Sequence, residues 1–193
     1  MFVKVILVIF AYLIGSISPS ILLAKAKGID IKKEGSGNAG TTNALRVLGK
    51  KAAIITLTCD MLKGVTATLL GGLVGVAPLC AIFAFIGHIW PVYYGFKGGK
   101  GAATAVGCVL ALDYRIALLC LLIAAIFLFI SKRMSVGTLV AAIAFPVLSI
   151  FMDKDLLIPA IVIAIIVIFK HRSNIARLVK GEEPVMSIFD KEK

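Results

Sequence analysis

Acidic residues are scarce in this chain: 10 Asp and Glu face 21 Lys and Arg, a formal net charge of +11. Amphipathic spacing is scarce as well. Apolar residues fall in long runs instead of at helix or strand periods, which excludes an ordinary half-solvated soluble core. No solenoid-like repeat and no low-complexity stretch is present, so a repeat architecture is excluded. The four cysteines, Cys59, Cys80, Cys108 and Cys120, form no C-x-x-C pair, and none sits beside a histidine at ligand spacing. That argues against a disulfide framework and a zinc site, and they read as small apolar residues. No metal and no organic cofactor is expected. Residues 35–40 spell G-x-G-x-x-G, with Asp60 twenty residues beyond Gly40. No strand precedes that motif and Asp60 lies in an apolar run, so the dinucleotide reading lacks its context. A Walker A loop is absent altogether.

What the chain has in excess is hydrocarbon. Hydrophobic residues make up 60% of it and the mean hydropathy is +1.04, against roughly 45–50% apolar in a soluble domain. Seven apolar segments stand out, at 2–24, 52–76, 77–94, 101–112, 116–130, 136–151 and 156–169. The first is too long for the roughly 7–15-residue core of a cleaved signal, and it reads as a retained span. The fourth has only 12 apolar residues, short of the about 20 that a full span needs. It spans only by borrowing its ends, or it is re-entrant.

Loop charge orients the set. With the N-terminus outside, seventeen of the 21 Lys and Arg lie in the inward loops 25–51, 95–100 and 131–135 and the tail 170–193. The tail alone carries Lys170, Arg172, Arg177, Lys180, Lys191 and Lys193. Lys4, Arg115 and Lys154 are left outside, a strong positive-inside asymmetry. The expectation is an all-α integral membrane protein, one polytopic domain over 1–193. It has about seven transmembrane helices, a short fourth helix, its N-terminus outside and its C-terminus cytoplasmic. Inward retention of basic residues accounts for most of the charge, without a nucleic-acid partner; anionic lipid or an anionic substrate accounts for the rest.

The outward turns are plain connectors, whereas glycine, hydroxyl, amide and basic residues recur together on the inward side. Residues 35–46, GSGNAGTTNALR, combine glycines that free backbone N–H groups with side-chain donors on Ser36, Thr41, Thr42, Asn43 and Arg46. Such a loop builds an anion nest or is simply a flexible interfacial loop. Residues 95–101, GFKGGKG, precede an apolar helix, where backbone N–H groups and the helix dipole favour an anion. Ser135 follows Lys132 and Arg133 and is weak evidence by itself. His171, Asn174 and Arg177 recur every three residues, a rough face on a juxtamembrane helix. Within the apolar runs, Asp60 and Lys63 stand three apart and read as a pair, structural or functional. His88 lies beside Trp90, Tyr93 and Tyr94, as in an interfacial aromatic belt.

The stretches GSGNAGTTNALR from Gly35, GHIWPVYYGFKGGKGAATA from Gly87 and HRSNIARLVKGEE from His171, with DMLKG from Asp60, resemble the bacterial acyl-phosphate:glycerol-3-phosphate acyltransferases. The likeness runs over nearly the whole chain. It implies transfer of a fatty acyl group from acyl phosphate to glycerol 3-phosphate at the cytoplasmic face of the bacterial inner membrane. Membrane lipid is then a partner, and an upstream enzyme supplies the acyl phosphate. Ser36, Asn38, Asn43 and Arg46 match the first family motif. Gly98, Gly99, Lys100 and Gly101 match the second, phosphate-binding one, and Ser135, His171, Asn174 and Glu183 match the third. Residue 102 is Ala where many members carry Val. Lys100, Ser135 and His171 are the expected catalytic residues. The other matched residues, with Arg177 and again Lys100, are expected to bind substrate and phosphate.

No H-x-x-x-x-D pair and no G-x-S-x-G elbow occurs, so orientation and electrostatics are expected to carry the chemistry, with His171 the candidate base. The rival class is an organic-phosphate transporter, which needs polar residues along a path through the bilayer. Intramembrane charge here is limited to Asp60 and Lys63. A non-catalytic scaffold held by anionic lipid leaves the glycine loops unexplained.

Overall fold

The computed structural model describes residues 1–186 and Phe189 of the 193-residue chain. Lys191 and Lys193, counted above in the tail, lie outside the described residues. Every regular element among those described is helical. The chain divides into two compact units, Met1–Asp113 and Tyr114–Lys193.

The first unit opens with α1 (Phe2–Gly15) and α2 (Pro19–Lys25), bent by 42° where the sequence suggested one continuous run. The cause is local. Proline has no N–H to continue a helix and pushes the residue before it out of helical geometry, and Ser18 is extended at φ −115°, ψ 99°. Then follow α3 (Thr41–Leu48), α4 (Lys50–Gly72), α5 (Ala77–Ile89), a 3-10 turn at Val92–Tyr94 and α6 (Ala102–Leu112). Helix α1 packs on α5, and α4 packs on both α5 and α6.

The approaches are close enough to require glycine. A Cβ at Gly87 would overlap the Tyr12 carbonyl, and one at Gly107 would overlap the Met61 carbonyl. Apolar helices in lipid gain little from hiding hydrocarbon, so close packing through small residues holds them together. Gly107→Val is therefore expected to push α4 and α6 apart, at a cost of at least about 1–3 kcal/mol. A lower thermal midpoint in detergent and a smaller monodisperse fraction by size exclusion are the readouts.

The second unit contains α7 (Tyr114–Ser131), α8 (Met134–Met152), a 3-10 turn at Lys154–Leu156, α9 (Leu157–Lys170) and α10 (Arg172–Val179). Helices α7 and α8 form a hairpin whose tight turn puts Lys132 at φ 58°. Helix α10 leaves α9 at 58°.

Among the described residues, four helical stretches are long and apolar enough to span: α4, 77–94, α7 and α8. The number rises to six if α1–α2 and the 154–179 bent pair each count as one span. Reaching seven requires α6, whose 11 residues rise only about 16 Å, against a hydrocarbon core of about 30 Å.

Candidate active site: polar clusters at the helix ends

In the first unit, the loop before α3 is organised by Asn43, which is 1% exposed. Its Oδ1 accepts from the Ser36 N–H (2.8 Å), and its Nδ2 donates to the carbonyls of Ile31 (3.2 Å) and Glu34 (3.0 Å). Asn43 therefore braces the loop from inside. Ser36 and Arg46 are exposed and Asn38 is half-buried. The buried Thr41 Oγ1 meets no hydrogen-bond partner among the described residues. Gly35 and Gly37 sit at φ 59° and 68°, where a side chain would be strained.

The second loop returns from α5 to α6. The Gly98 N–H donates to the Ile89 carbonyl (3.1 Å) and the Gly99 N–H to the His88 carbonyl (3.2 Å). These two amides satisfy the end of α5, so what Gly98 and Gly99 provide is room. A Cβ on Gly98 would overlap the His88 carbonyl, and one on Gly99 would overlap His88 Nε2 and approach the Ala39 carbonyl to 2.6 Å. The missing side chains let the 35–40 and 95–101 loops meet. Gly101, at φ 86°, is the N-cap of α6, and Lys100 beside it is half-buried. A cavity of about 510 Å³ opens nearby, lined by Lys25, Asp30, Lys32, Tyr93 and Tyr94 among others. None of the expected catalytic or phosphate-binding residues lines it.

Beneath the second loop, Lys63 Nζ lies 2.8 Å from Asp60 Oδ1, so the pairing read from the i, i+3 spacing is formed. The sequence did not reveal its third member, His88, whose Nδ1 is 2.9 Å from Lys63 Nζ. Those two residues are 25 apart in sequence, and only the packing of α5 on α4 brings them together.

In the second unit the third motif converges on one carboxylate. Glu183 Oε1 accepts from Ser135 Oγ (2.7 Å) and Asn174 Nδ2 (2.6 Å), while Oε2 accepts from Arg177 Nε (2.7 Å). Arg133 Nε, a partner the sequence reading missed, donates to the Glu183 carbonyl at 2.8 Å. Burial alone would raise the Glu183 carboxyl, but the hydrogen bonds from Ser135, Asn174 and Arg177 outweigh it and hold the carboxyl below its ordinary value. Because the Ser135 hydroxyl donates to Glu183, its oxygen keeps lone pairs that can accept a further hydrogen bond. His171, buried between α9 and α10, has Nδ1 2.8 Å from the Val167 carbonyl. A carbonyl accepts only, so Nδ1 carries a proton and donates it to Val167.

Large apolar side chains such as Leu122, Phe129, Phe151 and Ile165 are exposed along the helices, while the glycine loops and the Glu183 cluster lie at helix ends and Asp60 and Lys63 are buried within α4. These features define an all-helical integral membrane protein. The sequence profile of the glycerol-3-phosphate acyltransferase family matches residues 5–181. A glycerol-3-phosphate acyltransferase of Clostridioides difficile (strain 630) is 42% identical, covering 94% of this chain and 95% of its own. The crystal structure of PlsY (YgiH), an integral membrane glycerol 3-phosphate acyltransferase, in its glycerol 3-phosphate form matches with a TM-score of 0.92 at 36% identity, covering 97% of this chain and 99% of that one. Its lysophosphatidic acid form matches with a TM-score of 0.87 at 38% identity over the same shares. The chain belongs to the glycerol-3-phosphate acyltransferase family.

Proposed function

We propose that the protein moves a fatty acyl group from acyl phosphate to the 1-hydroxyl of sn-glycerol 3-phosphate. The products are 1-acylglycerol 3-phosphate (lysophosphatidic acid) and inorganic phosphate, in phospholipid synthesis. The supporting observation is that the solved structures similar to 97% of this chain are a glycerol 3-phosphate form and a lysophosphatidic acid form, the acceptor and the product of that reaction. Acyl phosphate is the donor whose leaving group departs without help from a strong acid. It suits an interfacial site, being apolar at one end and anionic at the other.

The acceptor hydroxyl oxygen attacks the acyl carbonyl carbon, the bond from that carbon to the phosphate oxygen breaks, and phosphate leaves with the electron pair. The hydroxyl proton goes to His171 Nε2 or to a phosphate oxygen. Lys100, with the room made by Gly98, Gly99 and Gly101, holds one phosphate. Ser36, Asn38 and Arg46 present donors on the loop that Asn43 shapes. Asn174, Arg177 and Glu183 hold Ser135 as an acceptor. Catalysis then rests on orientation and on donors aimed at developing negative charge.

The strongly basic inward loops support a bacterial inner-membrane enzyme with its site facing the cytoplasm, its N-terminus outside and α6 completing seven spans. A separate enzyme that forms acyl phosphate supplies the donor.

Purified protein given glycerol 3-phosphate and palmitoyl phosphate should make lysophosphatidate and phosphate one for one. Phosphate release without lysophosphatidate would reduce the activity to hydrolysis. If His171 is the base, His171→Ala should lower kcat by about 10²–10⁴-fold. Near-normal kcat at saturating substrate would give the proton to the substrate phosphate.

A further inference from the structure

We propose that Asp60, Lys63 and His88 form a buried positioning assembly that sets the height of the Gly98–Gly99 loop and, through it, the seat of one substrate phosphate. The inference rests on the reading of that loop as a phosphate site.

The three residues are 1%, 7% and 5% exposed, so the assembly is closed to solvent. Lys63 is its hub. Its Nζ donates to the Ile17 carbonyl at 2.6 Å, is 2.9 Å from His88 Nδ1, and pairs with Asp60 Oδ1 at 2.8 Å. Asp60 Oδ1 also lies 3.3 Å from His88 Nδ1. The Ile17 carbonyl belongs to the break between α1 and α2 that Pro19 creates. One ammonium thus ties three helices together at a point where the backbone needs an outside partner. His88 Nδ1 is thus held between the Lys63 amine and the Asp60 carboxylate.

That ring is in contact with the loop. The missing Cβ of Gly99 leaves the space that His88 Nε2 occupies, and the His88 carbonyl accepts the Gly99 N–H at 3.2 Å. His88 therefore supports Gly99 twice, by its backbone and by its ring. The ring cannot rotate without giving up its contact with Lys63. A charged, hydrogen-bonded assembly in a low-dielectric interior costs desolvation, and replacement by apolar side chains is often as stable. Bulk stability is thus a poor reason for its presence, whereas holding a loop in one position is a good one. The chain continues directly from Gly99 to Lys100 and the start of α6, so a displaced Gly99 displaces the donors that follow.

His88→Leu removes the polar ring, and His88→Gln keeps an amide that can still accept from Lys63. The KM for each of glycerol 3-phosphate and palmitoyl phosphate is measured with both variants and with Lys100→Ala. In His88→Leu, the KM of the one substrate whose phosphate rests on the loop should rise about tenfold. The KM of the other substrate and kcat should stay within about threefold, and His88→Gln should recover most of the loss. If His88→Leu does not fold, Asp60→Asn combined with Lys63→Met removes both charges together, and the same selective rise is expected. A fall in kcat with both KM values unchanged would reduce the assembly to a structural role and overturn the proposal, as would an equal rise in both. Should Lys100→Ala change neither KM nor kcat, the phosphate-loop reading itself fails. A Lys100→Ala shift without a His88→Leu shift overturns this inference alone.

Discussion

Lys100→Ala is expected to lower kcat/KM by about 10²–10³-fold, the loss that follows removal of one preorganised donor from a site where charge develops. The residue stands between the crowded Gly98–Gly99 pair and Gly101, the N-cap of α6. It is thereby fixed at a helix start, where the dipole also favours an anion. Lysine acts on phosphate as a point charge, so Lys100→Arg should recover only part of the activity, because the planar guanidinium does not fit the same seat. Steady-state kinetics with glycerol 3-phosphate and palmitoyl phosphate each varied in turn checks this. A Lys100→Ala enzyme within about threefold of the parent would remove the residue from the site.

Glu183→Ala is expected to be comparably damaging for a different reason. It strips the acceptor from Ser135, Asn174 and Arg177 at once, and a buried donor left unpaired costs about 1–3 kcal/mol. Arg177 is 37% exposed, so water screens its share. Ser135 and Asn174 are buried, and they bear most of the cost. Because displacements of about 1 Å in a reacting constellation cost about 10²-fold, kcat should fall by at least that factor even where the protein remains folded. Glu183→Gln keeps an acceptor for some of the three donors and should be milder.

The same contact predicts a pH effect. The folded Glu183 carboxyl titrates below its ordinary value of 4.5. Its stabilisation is therefore complete above that value and is lost as pH falls below it, through the depressed folded pKa. Thermal midpoints of the parent should drop across that acid window, and Glu183→Gln should flatten the part of the drop that belongs to this group.

The membrane-spanning character was legible because runs such as 116–130 and 136–151 have no other stable environment. The helices found there, α7 and α8, differ from the runs by one or two residues at each end. The break at Ser18–Pro19 was written in the sequence as an X-Pro step, but hydropathy averaged over it. The shortness of α6 was legible as well, since Asp113 ends the apolar stretch.

In the candidate site, residue types were legible and roles were not. Asn43 reads as a donor to an anion until the structure turns its amide inward onto Ile31, Glu34 and Ser36. Glu183 reads as a ligand until both of its oxygens are found on protein donors. His88 reads as one more residue of an aromatic belt because no local spacing links it to Lys63. These are tertiary facts, set by which helices pack on which, and periodicity within one helix does not contain them.

Dependence on acyl phosphate is tested by a donor comparison with purified protein in detergent. Glycerol 3-phosphate is offered with palmitoyl phosphate, palmitoyl-CoA or palmitoyl-acyl carrier protein at equal concentration, and lysophosphatidate is quantified. Product is expected from palmitoyl phosphate alone. Product from either thioester at a comparable rate would contradict that dependence, because a site built on phosphate seats has no reason to accept a donor whose acyl group is carried on sulfur.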